Sequence, residues 1–188
     1  MLIVMRGYAK MFRNIWRVAI SDLFLIMRKA IGCRIRFKPI SIVSPLASLK
    51  TSQKGAIYLD TKAAIRAGTE VSAKQGSVRI GENCFVNRDC MIVSHESIIL
   101  KDNVTIGPGT YIYDHDHDGR GGFITDKIVI EENVWIGAGC IILKGVTIGK
   151  AAVIAAGTLV TKDVQANTIV YQKRENCIKE KKQCKKYL

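Results

Sequence analysis

The sequence contains only three prolines and three histidines in 188 residues, and no two of its six cysteines form a Cys-x-x-Cys pair. Without such pairs, and with so few histidines, the chain carries no zinc-finger pattern. Little proline together with 48% hydrophobic residues argues against a disordered chain and for one that buries a core. No stretch reaches the roughly 20 uninterrupted apolar residues that a membrane-spanning helix requires.

Acidic residues are also scarce, and the net charge of +13 comes from the two ends of the chain. Residues 1–38 carry nine Lys or Arg and one acid, and residues 171–188 carry seven and two, which leaves residues 39–170 neutral. A nucleic-acid-binding protein usually concentrates its charge on the binding domain, so we expect no nucleic-acid partner. Basic ends suit a membrane surface, a phosphate-bearing cofactor or an acidic polymer, or they serve solubility alone.

Positive charges interrupt the apolar residues of the N-terminal segment, so we expect no cleavable signal peptide and a cytoplasmic protein with free thiols. Within residues 1–38, apolar side chains recur every three or four positions, which predicts a basic amphipathic helix: Phe12, Trp16, Ile20, Leu23, Met27 and Ile31. Such a helix either lies on an anionic membrane surface or packs against the domain or a neighbouring subunit. Residues 39–56 are expected to form a linker.

From residue 57 the pattern changes, because aliphatic residues recur at six-residue steps with few changes of phase. These positions are Leu59, Ile65, Val71, Ile80, Val86, Ile92, Leu100, Ile106, Ile112, Ile130, Ile136, Ile142, Ile148, Ile154 and Val160. A period of six indicates a parallel β-helix, in which each hexad is a short strand and a turn and three hexads form a coil. We therefore predict an all-β fold, a parallel β-helix over residues 57–170 followed by a short basic C-terminal tail over 171–188.

One polar, glycine-rich stretch interrupts the repeat and predicts an external loop over residues 113–127. Two of the three histidines, His115 and His117, lie in this loop and are flanked by three aspartates. Histidine is the side chain best suited to proton transfer near neutral pH, and a neighbouring carboxylate can fix its tautomer. The loop is therefore a candidate catalytic site.

Three segments carry a resemblance to a known family: residues 106–117, 133–149 and 156–163. They read IGPGTYIYDHDH, NVWIGAGCIILKGVTIG and AGTLVTKD, and they are similar to the hexapeptide-repeat acyltransferases. Within that superfamily the chain resembles the galactoside and maltose O-acetyltransferases and the O-acetyltransferases of polysaccharide biosynthesis. The resemblance implies a left-handed β-helix, a homotrimer with active sites between adjacent subunits, and acetyl-CoA as the acyl donor.

The resemblance also implies roles for individual residues. His117 matches the catalytic base by its position, and His115 is the second candidate. Asn87 matches an asparagine that holds the acceptor sugar, and Asp114 and Asp116 are predicted to contact the substrate. The implied cofactor-binding residues are Trp135 beside the channel, the backbone N–H groups of Ala138 and Ala156, and Thr161 and Lys162 near the nucleotide end of CoA.

Together these observations predict an acetyl-CoA-dependent O-acetyltransferase that acts on a sugar hydroxyl, with surface-polysaccharide biosynthesis as the expected setting and no metal. We expect the acceptor to be a small-molecule or lipid-linked sugar, and the basic helix to bring a cytoplasmic enzyme to the inner face of the membrane as a peripheral protein. Two alternatives stay open. One is a metal enzyme of the gamma carbonic anhydrase type with His95, His115 and His117 as ligands, and the other is a trimeric scaffold without catalysis.

Overall fold

The computed structural model describes residues 2–173, with side chains from residue 15 onward. Within this range it comprises one helix, α1 (Leu2–Ala30), a stack of short parallel strands and one antiparallel hairpin. The basic C-terminal tail predicted over residues 171–188 lies outside the described residues from 174 onward.

Three parallel sheets form the faces of the stack, and the chain visits them in the order A, B, C so that three consecutive strands make one coil. Sheet A contains β1 (Ile35–Phe37), β4 (Ala56–Leu59), β7 (Ser77–Ile80), β10 (Ser97–Leu100), β15 (Ile128–Ile130) and β18 (Thr147–Ile148). Sheet B contains β2 (Ile42–Val43), β5 (Ala64–Ile65), β8 (Phe85–Val86), β11 (Thr105–Ile106), β16 (Trp135–Ile136), β19 (Val153–Ile154) and β21 (Ile169–Val170). Sheet C contains β3 (Ser48–Thr51), β6 (Glu70–Ala73), β9 (Met91–Ser94), β12 (Tyr111–Tyr113), β17 (Ile141–Ile142) and β20 (Leu159–Val160). The predicted parallel β-helix is confirmed, and its left-handed winding is what the resemblance implies.

The aliphatic residues at the hexad positions stack on their counterparts in neighbouring coils. In sheet A, for example, Leu100 pairs with Ile80 on one side and with Ile130 on the other, and all three are fully buried. Burying one such side chain contributes about 1.5–3 kcal/mol, so the column of aliphatic residues is the main source of stability. A single hexad could not bury its own apolar face, but the stack of coils does.

The segment predicted as a linker, residues 39–56, forms most of the first coil instead. Val43 and Leu49 in this segment continue a six-residue step from Phe37, and all three pair with the second coil: Phe37 with Leu59, Val43 with Ile65, and Leu49 with Val71. The prediction was wrong because a ten-residue step from Leu49 to Leu59 shifts the phase and hides the continuity of the repeat.

Helix α1 packs on the first coil. The Ser21 hydroxyl donates to the Ser41 carbonyl oxygen at 2.9 Å and accepts from the Val43 N–H at 2.8 Å. Leu25 is fully buried and belongs to the same apolar core as the coils. The helix therefore covers core side chains that would otherwise face solvent at the N-terminal end of the stack.

The apolar stripe predicted for α1 faces away from the coils. The Phe12 side chain lies outside the described residues. The other predicted members are 48 to 70% exposed, as are neighbouring Ile15 and Ile26: Trp16, Ile20, Leu23, Met27 and Ile31. The helix instead packs through the opposite face, which includes Ser21 and Leu25. No helix in the described part of the chain has the length and apolarity needed to span a membrane. The stripe is thus an apolar surface that a single copy of residues 2–173 leaves uncovered.

The coils differ in length at one corner only, where sheet C leads back to sheet A. The steps there are ten residues from Leu49 to Leu59, nine from Val71 to Ile80, eight from Ile92 to Leu100, eighteen from Ile112 to Ile130, and six from Ile142 to Ile148. The other two corners of these coils keep a six-residue step. Extra residues therefore collect along one edge of the prism, which we call the C–A edge.

Candidate functional site

The longest insertion at the C–A edge is the predicted loop, and it folds into an antiparallel hairpin of β13 (His115–His117) and β14 (Phe123–Thr125). Asp118 closes the turn, because its carboxylate accepts the N–H groups of Arg120 at 2.7 Å and Gly122 at 2.8 Å. These two hydrogen bonds stabilise the ionised form, so they lower the pKa of Asp118. The hairpin leaves the prism while the coils continue on either side.

Alternation along β13 puts His115 and His117 on one face of the hairpin and Asp116 on the other. His117 stands opposite Phe123 in the strand pair, and the centroids of their rings are 5.0 Å apart. Asp116 is directed toward Lys144 of the next coil, with Oδ2 3.4 Å from Nζ. The predicted substrate contact Asp116 is exposed and keeps an open carboxylate.

All three histidines of the chain gather around Phe123. His95, from the insertion in the preceding coil, lies 4.0 Å from the Phe123 ring and 4.2 Å from the His115 ring, measured between centroids. His115 is itself 5.3 Å from Phe123. Burial, followed by the neighbouring His115, lowers the pKa of His95 and so favours the neutral ring. The cluster is therefore a partly buried imidazole surface at the C–A edge.

Asp114 anchors this cluster from beneath. Its side chain is fully buried, and Oδ2 accepts the Ser94 hydroxyl at 2.7 Å and the Glu96 N–H at 2.9 Å. Its other oxygen, Oδ1, accepts the His95 N–H at 2.8 Å and lies 3.3 Å from His115 Nδ1. The predicted role of Asp114 as a substrate contact does not fit this geometry, because burial and four neighbours leave neither oxygen open to a ligand.

The two candidate bases differ in their surroundings. The His115 side chain is 13% exposed, and its Nδ1 faces the Asp114 carboxylate, an arrangement that fixes one tautomer and leaves Nε2 as the proton acceptor. His117 is exposed, and within the described residues it has no carboxylate at hydrogen-bonding distance. His117 therefore has the better access to a substrate, and His115 has the better-defined orientation.

The predicted cofactor residues lie on the face of sheet B and along two edges of the prism. Trp135 projects from sheet B between Thr105 and Val153 and is 56% exposed. Thr161 and Lys162 are exposed at the C–A edge of the last complete coil, on the same edge as the histidines and two coils further along. At a spacing of about 4.8 Å between strands, two coils correspond to roughly 10 Å.

Ala138 and Ala156 occupy equivalent positions at the corner between sheets B and C, which we call the B–C edge. Neither N–H group has an acceptor within the described residues, and both alanines are exposed. The coils approach each other closely here: a Cβ added to Gly137 would lie only 2.6 Å from the Ala156 nitrogen. Two unpaired N–H groups, one above the other, are suited to bind carbonyl oxygens of an extended ligand.

Asn87 is on the B–C edge as well, where its Oδ1 accepts the Arg88 N–H at 2.8 Å. The whole of sheet C separates it from the histidines, and the four residues of Met91–Ser94 alone span roughly 13 Å at 3.3 Å per residue. One chain therefore does not bring Asn87 together with His115 or His117. A neighbouring copy could supply it, as the resemblance implies.

Ser94 and Phe123 are neighbours of the site that sequence reasoning missed, and His95 was named there only as a ligand in the metal alternative. His95 precedes His115 by twenty residues, which is one coil of the repeat, so the two do not share a sequence motif. A signal was present, since the eight-residue step from Ile92 to Leu100 marks an insertion at the same corner as the hairpin. Within the described residues, no group of three or more His, Cys, Asp or Glu side chains is arranged to hold a metal ion.

Comparison with known proteins identifies the class of repeat. A family profile described as "Bacterial transferase hexapeptide (six repeats)" matches residues 127–162, and one described as "Hexapeptide repeat of succinyl-transferase" matches residues 77–114. The resemblance to hexapeptide-repeat acyltransferases predicted from the sequence is thus confirmed. The two segments flank the histidine hairpin.

Individual relatives agree with this class. The galactoside O-acetyltransferase of Lactococcus lactis is 39% identical over 101 residues, which are 50% of this chain and 49% of the relative. A hexapeptide-repeat acetyltransferase of Vibrio cholerae, solved with acetyl coenzyme A, is 25% identical with a TM-score of 0.54, covering 79% of this chain and 70% of that one. A galactoside acetyltransferase solved with coenzyme A is 26% identical with a TM-score of 0.51, covering 72% and 58%. The chain spans about half the length of the curated relatives it matches.

Proposed function

We propose that this protein is an acetyl-CoA-dependent O-acetyltransferase that acts on a sugar hydroxyl. The observation that carries the proposal is the histidine cluster, which is anchored on buried Asp114 at the longest interruption of a hexapeptide-repeat stack. The likeness to galactoside O-acetyltransferases supports a sugar acceptor, and relatives solved with acetyl-CoA or CoA support the donor. Nothing in the geometry requires a metal for this chemistry.

The reaction needs one base and one oxyanion site. The base, His117 or His115, accepts the proton of the acceptor hydroxyl as the oxygen attacks the carbonyl carbon of the thioester. The unpaired N–H groups of Ala138 and Ala156 can donate to the carbonyls of the thioester and the pantetheine arm. Collapse of the tetrahedral intermediate breaks the C–S bond, and the CoA thiolate takes the proton back from the imidazolium. No covalent enzyme intermediate is required.

We propose that the complete site lies between copies of the chain in a homotrimer. Asn87 on the B–C edge and the histidines on the C–A edge are too far apart within one chain to hold the same acceptor. If the B–C edge of one subunit lies beside the C–A edge of the next, Asn87, the alanine N–H groups and the histidines line one cleft. Mixing Asn87→Ala chains with His117→Ala chains should then restore activity to some sites, provided that His117 is the base.

The uncovered stripe of α1 is proposed to rest on an anionic membrane surface, which would bring a cytoplasmic enzyme to a lipid-linked precursor of a surface polysaccharide. Charge supports this occupant, since Arg17 and Lys29 flank the stripe and residues 1–38 carry nine basic residues against one acid. The double variant Leu23→Asp/Met27→Asp should lose sedimentation with phosphatidylglycerol vesicles. Ile169→Asp, an equally exposed position at the other end of the stack, is the control.

If the double variant instead changes the molecular mass in solution and leaves vesicle binding intact, the stripe is a contact between copies of the chain and the membrane proposal is wrong. Vesicles of phosphatidylcholine alone should bind less wild-type protein, because they lack the negative charge that the basic residues require.

The experiment that tests the activity follows release of CoA thiol from acetyl-CoA in the presence of candidate sugar acceptors. Replacing the base by alanine should lower kcat by about 10²–10⁴-fold while CoA binding, measured by calorimetry, stays the same. His117→Ala and His115→Ala are compared with Lys127→Ala, an exposed position in the same loop. Equal activity in both histidine variants would refute the assignment of the site, and no binding at millimolar CoA would favour the scaffold alternative.

A further inference from the structure

A second site with its own chemistry lies at the N-terminal end of the B–C edge, between α1 and the first three coils. It is a cavity of about 290 Å³. Arg17 enters it from the helix, Arg66 from the second coil and Arg88 from the third. The remaining wall is largely apolar and includes Ile20, Ile42, Val43, Pro45 and Ile65. We call this the three-arginine pocket.

Positive charge in the pocket is not neutralised. No acidic residue lines the cavity, and within the described residues none of the three guanidinium groups has a carboxylate within 4 Å. Lys38, a basic residue at the same end of the stack, differs from these arginines because it forms an ion pair with Asp60. Guanidinium groups gathered in a concave, partly apolar site attract an anion more strongly than the same groups spread over an open surface.

The arginines are held in place by the fold. Arg66 lies over the ring of Phe85, with its Cζ 5.9 Å from the centroid, and the backbone N–H of Arg66 donates to the Val86 carbonyl oxygen. The helix that carries Arg17 is fixed by the hydrogen bonds of Ser21 to the first coil. A site whose cations are pre-positioned loses less conformational entropy when an anion binds. Planar guanidinium groups also match phosphate oxygens in a bidentate manner, which lysines do not.

From these observations we infer that the three-arginine pocket binds the phosphate or pyrophosphate group of a ligand that also has an apolar portion. The apolar wall supports the second half of this inference, because Ile20 both lines the pocket and belongs to the exposed stripe of α1. A phosphate in the pocket would thus have its apolar substituent directed along the stripe. This chemistry is shared by a membrane-anchored phosphate ester and by a water-soluble one.

The position of the pocket connects it to the acceptor. Arg88 is the residue next to Asn87, the asparagine expected to hold the acceptor sugar, and both are on the B–C edge. This last step rests on the proposed function: the sugar acceptor would be joined to the phosphate that the pocket holds. Binding of the phosphate group itself does not depend on acetyl transfer.

The binding test uses the full chain without acetyl-CoA and inorganic pyrophosphate as the probe, followed by calorimetry. Arg66→Gln and Arg88→Gln should each weaken binding about ten-fold or more, because each removes a charge-assisted hydrogen bond. Arg79→Gln is the matched control, since Arg79 is an exposed arginine that stacks on Tyr58 of sheet A, away from the pocket. Equal weakening in all three variants, or no binding at millimolar pyrophosphate, would overturn the proposal.

Vesicles distinguish the two sources of phosphate. If the ligand is a membrane lipid, phosphatidic acid vesicles should bind wild-type protein, pyrophosphate should compete with them, and Arg66→Gln should weaken both interactions. If the ligand is soluble, Arg66→Gln should weaken pyrophosphate binding and leave vesicle binding unchanged. Either result supports a phosphate site in the pocket. Acetyl-CoA is absent from these binding experiments. A failure of the phosphate-site proposal is therefore detected separately from a failure of the proposed acetyltransferase activity.

Discussion

Buried Asp114 gives the sharpest prediction of how the site depends on the fold. Its carboxylate accepts three hydrogen bonds, from the Ser94 hydroxyl and the N–H groups of His95 and Glu96, at 2.7 to 2.9 Å. Asp114→Ala would leave the two partly buried N–H groups without this acceptor, at about 1–3 kcal/mol each. We expect a loss of about 2–5 kcal/mol of unfolding free energy, because the Ser94 hydroxyl loses its acceptor as well.

The assay is thermal unfolding followed by circular dichroism at one fixed protein concentration, because the stability of an oligomer depends on concentration. At about 2–4 °C per kcal/mol for a chain of this size, Asp114→Ala should lower Tm by about 10 °C. Asp114→Asn keeps one acceptor oxygen and should have an intermediate effect. Asp118→Ala is the matched control, because Asp118 accepts two N–H groups in the same insertion but is exposed, so its effect should be much smaller.

A Tm of Asp114→Ala equal to that of the wild type would refute the reasoning, since the carboxylate would then not anchor the edge. The Asp114→Asn variant also separates the two candidate bases. If His115 is the base, loss of the facing carboxylate should lower kcat with little change in KM well below Tm, because the imidazolium loses its partner. If His117 alone acts as the base, kcat of this variant should stay near the wild-type value.

Three further predictions concern the stack. Gly137→Ala should lower Tm and weaken CoA binding in calorimetry, because the added Cβ would lie 2.6 Å from the Ala156 nitrogen and force two coils apart; unchanged values would contradict the close approach. Burial raises the pKa of Cys84 to about 11, so in the native protein iodoacetamide should label Cys84 far more slowly than half-buried Cys33. In urea the two cysteines should react at the same rate, and mass spectrometry measures both rates. Because the pKa of His95 is lowered in the folded state, the unfolded chain binds a proton at this histidine more readily than the folded chain. The free energy of unfolding should therefore fall as the pH drops below 6.5, the usual histidine pKa. Denaturant unfolding of His95→Gln should show a weaker dependence of that free energy on pH, and an unchanged dependence would contradict the reasoning.

The fold was predictable from the sequence because a β-helix is built from a local repeat. Each hexad places its own aliphatic residue, as Ile136, Ile142 and Ile148 illustrate, and no long-range pairing has to be guessed. The error over residues 39–56 has the same origin. The ten-residue step before Leu59 interrupts the six-residue spacing, so the spacing did not predict that residues 39–56 belong to the first coil.

The site was only partly predictable, because its contacts join residues one coil apart. His115 and His117 were found as a cluster in sequence, but the carboxylate Asp114 between Ser94 and the histidines becomes an anchor only when two insertions stack. Burial decides its role: the same residue type at Asp116 stays exposed and open to a ligand. The outward direction of the α1 stripe was equally hidden, because a helical period does not say which face the coils cover.

Segregation of the insertions to one edge explains how a repeat protein of this kind accommodates a site. A six-residue step at the other two corners keeps each strand in register with its neighbours, and a one-residue slip there would turn a buried aliphatic such as Ile106 outward. The C–A edge tolerates six to eighteen residues between the same positions because the extra chain projects away from the core. The B–C edge stays regular and presents stacked N–H groups and the three-arginine pocket. Residues that change the chemistry can therefore accumulate on the C–A edge, while the B–C edge keeps the regular spacing of the stack.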